Sequence, residues 1–273
     1  MSDVPPLTIR PLSGYPEYLA CVALQRLAWG DDFTDGVAPG LLWVTQRMGG
    51  VASGAFSDGG ELLGFVFGIT GVRAGGLVHW SDLLAVRPEL RGQGIGRALK
   101  LHQRELMLAA GIPLVQWTFD PLESRNAWLN FRLGISVREY IRDAYGEGAS
   151  DLHRGLGTDR FVAEWQIGSE RVRTVLAGTA RQPEAAPGTL VNDVAWSSGW
   201  PRSTEPHLGL GDSRLRIRIP AAIQQLKAAE PRLAREWRVL TRAAFEHYLV
   251  RGWVVTGLTR EDATVSSYLL ERA

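Results

Sequence analysis

The segment from Val86 to Leu99, Val-Arg-Pro-Glu-Leu-Arg-Gly-Gln-Gly-Ile-Gly-Arg-Ala-Leu, constrains the fold of this chain more than any other stretch. An apolar run, residues 83–86, leads into a short turn. Glycines then stand at positions 92, 94 and 96, and a helical pattern follows. A strand, a glycine turn and a helix in that order aim several backbone N–H groups at one point. The helix behind them adds a partial positive charge. The segment therefore reads as a phosphate-binding turn in a fold of mixed strands and helices.

Of two familiar phosphate turns, one fails and the other fits weakly. A P-loop ends in Gly-Lys-Ser/Thr, whereas Arg97 and Ala98 follow Gly96 here. A dinucleotide fingerprint needs a third glycine five residues after the first. Counted from Gly92, that position is Arg97, and the segment lies after several strand patterns rather than at the first. What is left is Arg91-x-x-Gly94-x-Gly96 behind a strand that ends in Val-x-Pro.

This string resembles motif A of the GNAT (Gcn5-related) N-acyltransferase superfamily. The resemblance implies a loop whose amides hold the pyrophosphate of coenzyme A. Arg91, Gly92, Gln93, Gly94, Ile95, Gly96 and Arg97 would form it, the glycines letting the backbone approach without a Cβ in the way. It also implies that the preceding strand parts from its neighbour, so that main-chain groups of Leu84 and Val86 line the pantetheine arm. The donor would be acyl-CoA, as acetyl-CoA or succinyl-CoA, with no metal.

Periodicity along the chain gives an element order that matches the fold of that family. Residues 7–12 alternate as a strand, 15–29 and 41–48 carry helical spacing, and 51–56 and 62–70 form a hairpin around Asp58-Gly59-Gly60. Residues 77–86 are a strand and 97–110 a helix that Gly111 and Pro113 stop. A strand at 114–119, a helix at 125–133 and strands at 136–145 and 160–167 follow. The expected fold class is α/β (α+β), a mixed central sheet flanked by helices, with a C-terminal α+β extension.

The chain divides on this reading into an acyltransferase domain at 1–168, an irregular connection at 169–214 and a helix–strand–strand extension at 215–273. Residues 173–177 read as a strand within the connection. Residues 221–251 are helical with a break at Pro231, and 253–258 and 265–270 are strands. The extension is either a partial second half of the same kind or an unrelated cap.

Acyl transfer to an amine needs a base for the amine, donors for the oxyanion and a proton for the leaving thiolate. Asp82 is the acid on the strand before the motif. Alternation puts it on one face with Trp80 and Leu84, where apolar neighbours would raise its pKa. His79, on the other face, is a weaker candidate and reads as a core or surface histidine. The resemblance implies a cofactor contact for Asn126 and a tyrosine acid in the helix around it, but Asn130 holds the usual tyrosine position.

Asp120-Pro121-Leu122, Asn126-Ala127, Leu133-Gly134, Tyr140, Asp143-x-Tyr145-Gly146 and Thr158-Asp159-Arg160-Phe161 resemble a narrower group. These are predicted GNAT acyltransferases with a long C-terminal extension, some linked to acylation of amino acids. That implies a small amine acceptor and an arginine for a carboxylate. Arg125, Arg138, Arg142, Arg154 and Arg160 are available, and Arg160 at the start of a strand is preferred. A CoA-binding sensor or scaffold without turnover and a protein N-acetyltransferase are the alternatives.

Composition removes other classes. The 273 residues carry a net charge of +1, so no global field favours nucleic acid or membrane. Five histidines are dispersed without metal-ligand spacing, and the single cysteine excludes an internal disulfide. No apolar run is long enough to span a bilayer, and the first residues lack the pattern of a signal peptide. A cytoplasmic protein is expected, with a homodimer left open.

Overall fold

The structure, a computed structural model, describes residues 7–31, 33, 35–146, 155–179 and 188–272. Arg154 and the first six residues lie outside that set. Contacts divide the chain into two units: Met1–Trp117 with Gln166–Gly168, and Thr118–Trp165 with Ser169–Ala273.

The first unit begins with β1 (Leu7–Pro11), α1 (Gly14–Trp29), α2 (Pro39–Arg47), β2 (Val51–Ser57), β3 (Leu62–Arg73) and β4 (Gly76–Val86). It continues through α3 (Ile95–Ala109) into β5 (Leu114–Phe119). Strands β1 to β4 pair antiparallel in sequence order, and β5 joins β4 parallel after the crossover through α3. One face of this sheet packs on α1 and α2 through Leu24, Leu42, Phe65, Phe67 and Ala85, all buried. Each such side chain contributes roughly 1.5–3 kcal/mol when fully buried, alanine excepted. The other face carries α3, whose inward side is Ile95, Leu99, Lys100, Gln103 and Met107.

The second unit holds α4 (Ser124–Phe131), β6 (Ser136–Ile141), β7 (Arg160–Gln166), α5 (Glu170–Leu176), β8 (Thr189–Leu190), β9 (Val194–Ser197) and β10 (Trp200–Ser203). After these come β11 (Arg214–Pro220), α6 (Ile223–Ala229), α7 (Pro231–Leu249), β12 (Trp253–Arg260) and β13 (Val265–Arg272). Its strands run in the order β7-β6-β12-β13-β11-β8, with β9 and β10 as a separate hairpin. Phe161, Phe245 and Tyr268 meet edge to face at the centre, with ring centroids 4.7–5.4 Å apart.

Residues 173–177, expected as a strand, belong instead to α5 apart from Ala177 at its C-cap. Ser169 caps this helix, its hydroxyl accepting the Val172 N–H at 3.3 Å, and Glu170 stands in the first turn. The cap outweighs the β-branched Val172, Thr174 and Val175. Pro231 breaks the long helical stretch as its spacing predicts, at the first position of α7.

Candidate functional site

Two irregularities in β4 set the geometry of the first unit. The first is a bulge. Phe67 pairs with Leu83 and Gly68 with Ser81, so Asp82 has no opposite residue in β3. An extra residue on one strand breaks the alternation of faces. Ahead of it, His79 and Ser81 reach Gln103 and Lys100 of α3. Beyond it, Leu84 and Val86 face α3, lying 3.7 and 3.8 Å from where a Cβ on Gly96 would stand. Asp82 is turned the other way, within hydrogen-bond reach of Trp80. The expected common face for Asp82 and Leu84 is thus overturned by the bulge, while the pairing of Asp82 with Trp80 holds. Asp82 is exposed at the surface. Even so, its surroundings thin the water around it and raise its pKa, with the Trp80 hydrogen bond opposing and the charge of Asp35 assisting.

The second irregularity is a fork. The parallel ladder to β5 consists of Val78↔Leu114, His79↔Val115 and Trp80↔Gln116 and then stops, although β4 runs on to Val86. On the β3 side the ladder continues, and Arg87 N–H donates to Leu63 O at 2.9 Å. Hydrogen-bonded and non-bonded pairs alternate in an antiparallel ladder. Leu83 and Ala85 therefore bond to β3, and the N–H and C=O groups of Leu84 and Val86 point into the fork. Consistent with this, the Val86 carbonyl accepts from Arg91 Nε at 3.4 Å.

At the open end of the fork lies the glycine turn. Residues Pro88–Leu90 make one 3₁₀ turn, and Gly92 and Gly94 take φ of +88° and +87°, a region that disfavours any side chain. Gly94 is the N-cap of α3, which starts two residues earlier than its spacing suggests. The cap has no side-chain hydrogen bond. Helix geometry leaves the N–H groups of Ile95, Gly96 and Arg97 without an intrahelical acceptor. A Cβ on Gly94 would meet nothing within 4 Å, so the space over these donors is open. Arg91 and Arg97 are exposed beside it, and Gln93 is half-buried. This chemistry suits a polyphosphate: several outward N–H donors, a helix dipole and flanking guanidinium groups.

At the closed end of the fork is a group that the sequence reading did not single out. Lys100 is 5 % exposed, and its Nζ donates to Ser81 Oγ at 2.6 Å and lies 3.8 Å from the centre of the Trp117 ring. Among the described residues no carboxylate lies within ion-pair distance of it. Burial pushes its ammonium down to about 7. Its neighbour His79 is fully buried, with Nδ1 3.0 Å from Thr70 Oγ1 and Nε2 2.9 Å from Gln103 Nε2. Burial, and then the Lys100 charge, lower the His79 pKa to about 4. Gly68 makes this possible, because a Cβ there would stand 2.4 Å from the imidazole. A signal for Lys100 does exist in the sequence. It is one of two lysines, and it sits on the inward stripe Gly96, Lys100, Gln103, Met107.

In the second unit, Asn126 is exposed on α4, and Arg160 is buried at the start of β7. Arg160 Nη1 donates to Asp159 O at 2.9 Å and lies 3.9 Å from Asp120 Oδ2, with the guanidinium over the Tyr145 ring. Asp120 also accepts both oxygens' worth of contact from Arg238 Nη2, at 2.8 and 2.6 Å. Asp159 accepts two bonds from Arg242 and one from Tyr140. Burial opposes ionisation of Asp159, yet the bonds from Arg242 and Tyr140 outweigh it and hold its pKa low. Arg125, Arg138 and Arg142 are exposed, and Arg142 pairs with Glu246. Among the described residues no group of three His, Cys, Asp or Glu side chains is placed to hold a metal, and no helix is long and apolar enough to cross a membrane.

Comparison with known proteins adds the following. Residues 23–134 match the model of the "Acetyltransferase (GNAT) family". No curated protein matches the chain. Among solved structures, the ribosomal-protein-S18-alanine N-acetyltransferase of Escherichia coli is similar at 18% identity, covering 60% of this chain and 95% of that one, with a TM-score of 0.47. Chaetomium thermophilum Naa20, solved with a bisubstrate analogue, is similar at 20% identity over 61% of this chain and 89% of its own, TM-score 0.48. A GNAT family acetyltransferase from Elizabethkingia anophelis with acetyl-CoA bound gives 15%, 59%, 97% and 0.43 in the same order. The chain carries, at residues 23–134, an acetyltransferase domain of the GNAT family.

Proposed function

We propose that the chain is a CoA-dependent N-acyltransferase that moves an acetyl or succinyl group to the primary amine of a small molecule such as an amino acid. The observation that carries this reading is the fork in β4. The main-chain groups of Leu84 and Val86 that β3 leaves unbonded run from the helix N-terminus at Gly94 toward the bulge at Asp82. In this reading residues 91–97 hold the pyrophosphate, and Leu84 and Val86 hold the pantetheine arm.

Asp82 is the base. Its raised pKa keeps it able to accept a proton from the attacking ammonium, directly or through water. The amine then attacks the thioester carbonyl, the C–N bond forms, and the C–S bond breaks with its electron pair leaving on sulfur. No acyl-enzyme is formed: Cys21 is buried, and burial drives its thiol pKa far up, so it is no nucleophile. Asn126 keeps the cofactor contact and Arg160 the substrate carboxylate that the resemblance implies.

The test is release of free thiol from acetyl-CoA and succinyl-CoA across a panel of amino acids, other amines and peptides. Release that requires a small amine is expected. Gly94→Glu, which sets a carboxylate over the helix donors, should weaken CoA binding by more than about tenfold while the far-UV spectrum is unchanged. Failure of the unmodified protein to bind CoA, or full affinity in folded Gly94→Glu, would overturn the reading.

A further inference from the structure

Lys100 has a position that its burial alone does not explain. The last rung of the β4–β5 ladder is Trp80↔Gln116. The next residue on β4 is Ser81 and the next on β5 is Trp117, and Lys100 Nζ touches both. The ammonium therefore sits in the crotch where the two strands part. From Ser81 to Val86 the open strand covers roughly 17 Å at about 3.3 Å per residue, which suits an extended pantetheine arm. A cofactor anchored at the glycine turn and laid along the fork brings its sulfur to the end where Lys100 stands.

The surroundings match a proton donor rather than a structural ion pair. A buried charge is normally paired with an opposite one. Here the groups in contact are Ser81 on β4 and Trp117 on β5, with His79 on β4 near enough to feel the charge, and none is a carboxylate. His79 is the titratable member, and its lowered pKa keeps it neutral near pH 7. One face of the ammonium is held by a hydroxyl and one by a ring. The position where the resemblance implies a tyrosine acid is Asn130, which has no proton to give.

We propose that Lys100 is the general acid of the transfer, donating a proton to the thiolate of coenzyme A as the C–S bond breaks; this rests on the acyl-CoA reading given above. One N–H bond of the ammonium is lost and an S–H bond forms, leaving a neutral amine. Asp82 has taken one proton from the acceptor ammonium before attack; the second proton of the attacking nitrogen passes to water as the amide forms, and Lys100 is recharged from water when the thiol departs. The same ammonium, before transfer, stabilises negative charge on sulfur. Its pKa near 7 leaves it partly protonated at neutral pH and able to give the proton up.

The test uses CoA itself as probe. The thiol of bound CoA is titrated by its thiolate absorbance in the unmodified protein, in Lys100→Met and in Lys100→Arg. In Lys100→Arg, whose charge persists through the alkaline titration, the bound thiol should ionise about one pH unit or more below that of free CoA, and in Lys100→Met at or above it; turnover of the unmodified protein should fall as pH rises past about 7, where the ammonium discharges, and Lys100→Met should lack that fall. Turnover in Lys100→Met should fall on the order of 100-fold, with KM for acyl-CoA little changed. Methionine fills the same space without a charge, so the fold is expected to survive, and circular dichroism checks it. Equal thiol ionisation in folded, CoA-binding Lys100→Arg and Lys100→Met, or an alkaline fall in turnover that persists in Lys100→Met, would overturn the proposal while leaving the acyl-CoA reading intact. Absence of CoA binding in the unmodified protein would remove both.

Discussion

Lys100 and His79 make the first unit sensitive to pH in a direction that can be worked out. Both are bases whose folded pKa lies below the ordinary value, near 7 against 10.5 and near 4 against 6.5. The unfolded chain therefore binds more protons than the folded one between those limits. Stability rises with pH wherever that holds, by up to about 1.4 kcal/mol per pH unit for one group. It should climb from pH 4 to 6.5 through His79 and from pH 7 toward 10 through Lys100. Lys100→Met removes the second rise and should melt several degrees higher than the unmodified protein at pH 6, at about 2–4 °C per kcal/mol. Thermal melts across that range check this, and parallel pH curves for the two proteins would refute it. Both residues were visible in the sequence only in part. Alternation put His79 on the face opposite Asp82 without deciding between core and surface, and Lys100 resembled any charged residue on a helix, because its burial depends on where β4 and β5 separate.

At the scale of elements, the strand and helix order through residue 141 was legible because each element has its own signal: alternation, helical spacing, or a stop at glycine or proline. The glycine turn was the plainest case, since φ near +90° at Gly92 and Gly94 demands the residue that stands there. Two things were not legible. The helix α5 depends on one cap at Ser169, which outweighs three β-branched residues. The bulge at Asp82 is a mismatch in length between β3 and β4, and no single residue announces it. That bulge and the fork make a sharp prediction about neighbouring positions in β4. Leu84 N–H points into the fork, so Leu84→Pro removes no ladder bond and should leave a folded protein with weakened CoA binding. Ala85 N–H bonds to β3, so Ala85→Pro should lose the fold, by roughly 3 kcal/mol or more. Calorimetric CoA titration and thermal melts on the pair are the measurements. Equal behaviour of the two variants would mean that the donors of β4 are not divided between β3 and the fork.

For the molecule as a whole, the residues after 168 are bound up with those before it inside the second unit. There, β6 pairs with β7 on one side and with β12 on the other, through Val137↔Val255. Asp120 is buried and held by Arg238 of α7, and Asp159, fully buried, is held by Arg242 one helical turn on. Phe161 packs edge to face on Phe245 of α7 and Tyr268 of β13. None of this was readable in advance, since the partners of Asp120 and Asp159 lie 118 and 83 residues away in sequence. A chain ending at residue 168 keeps the whole glycine turn and fork but strips Asp120 of Arg238, leaving it Arg160, and Asp159 of Arg242. Removing one partner of a buried pair costs about 3–5 kcal/mol, and the exposed aromatic faces add to it. Such a chain should fail to melt cooperatively and should bind CoA far more weakly than the full protein, although every residue of the loop is present. The milder Arg238→Met, with the rest of the chain intact, should lower stability by less, since Asp120 keeps Arg160 3.9 Å away. A cooperative melt and full CoA affinity in the chain ending at 168 would show instead that the acyltransferase part stands without its C-terminal elements.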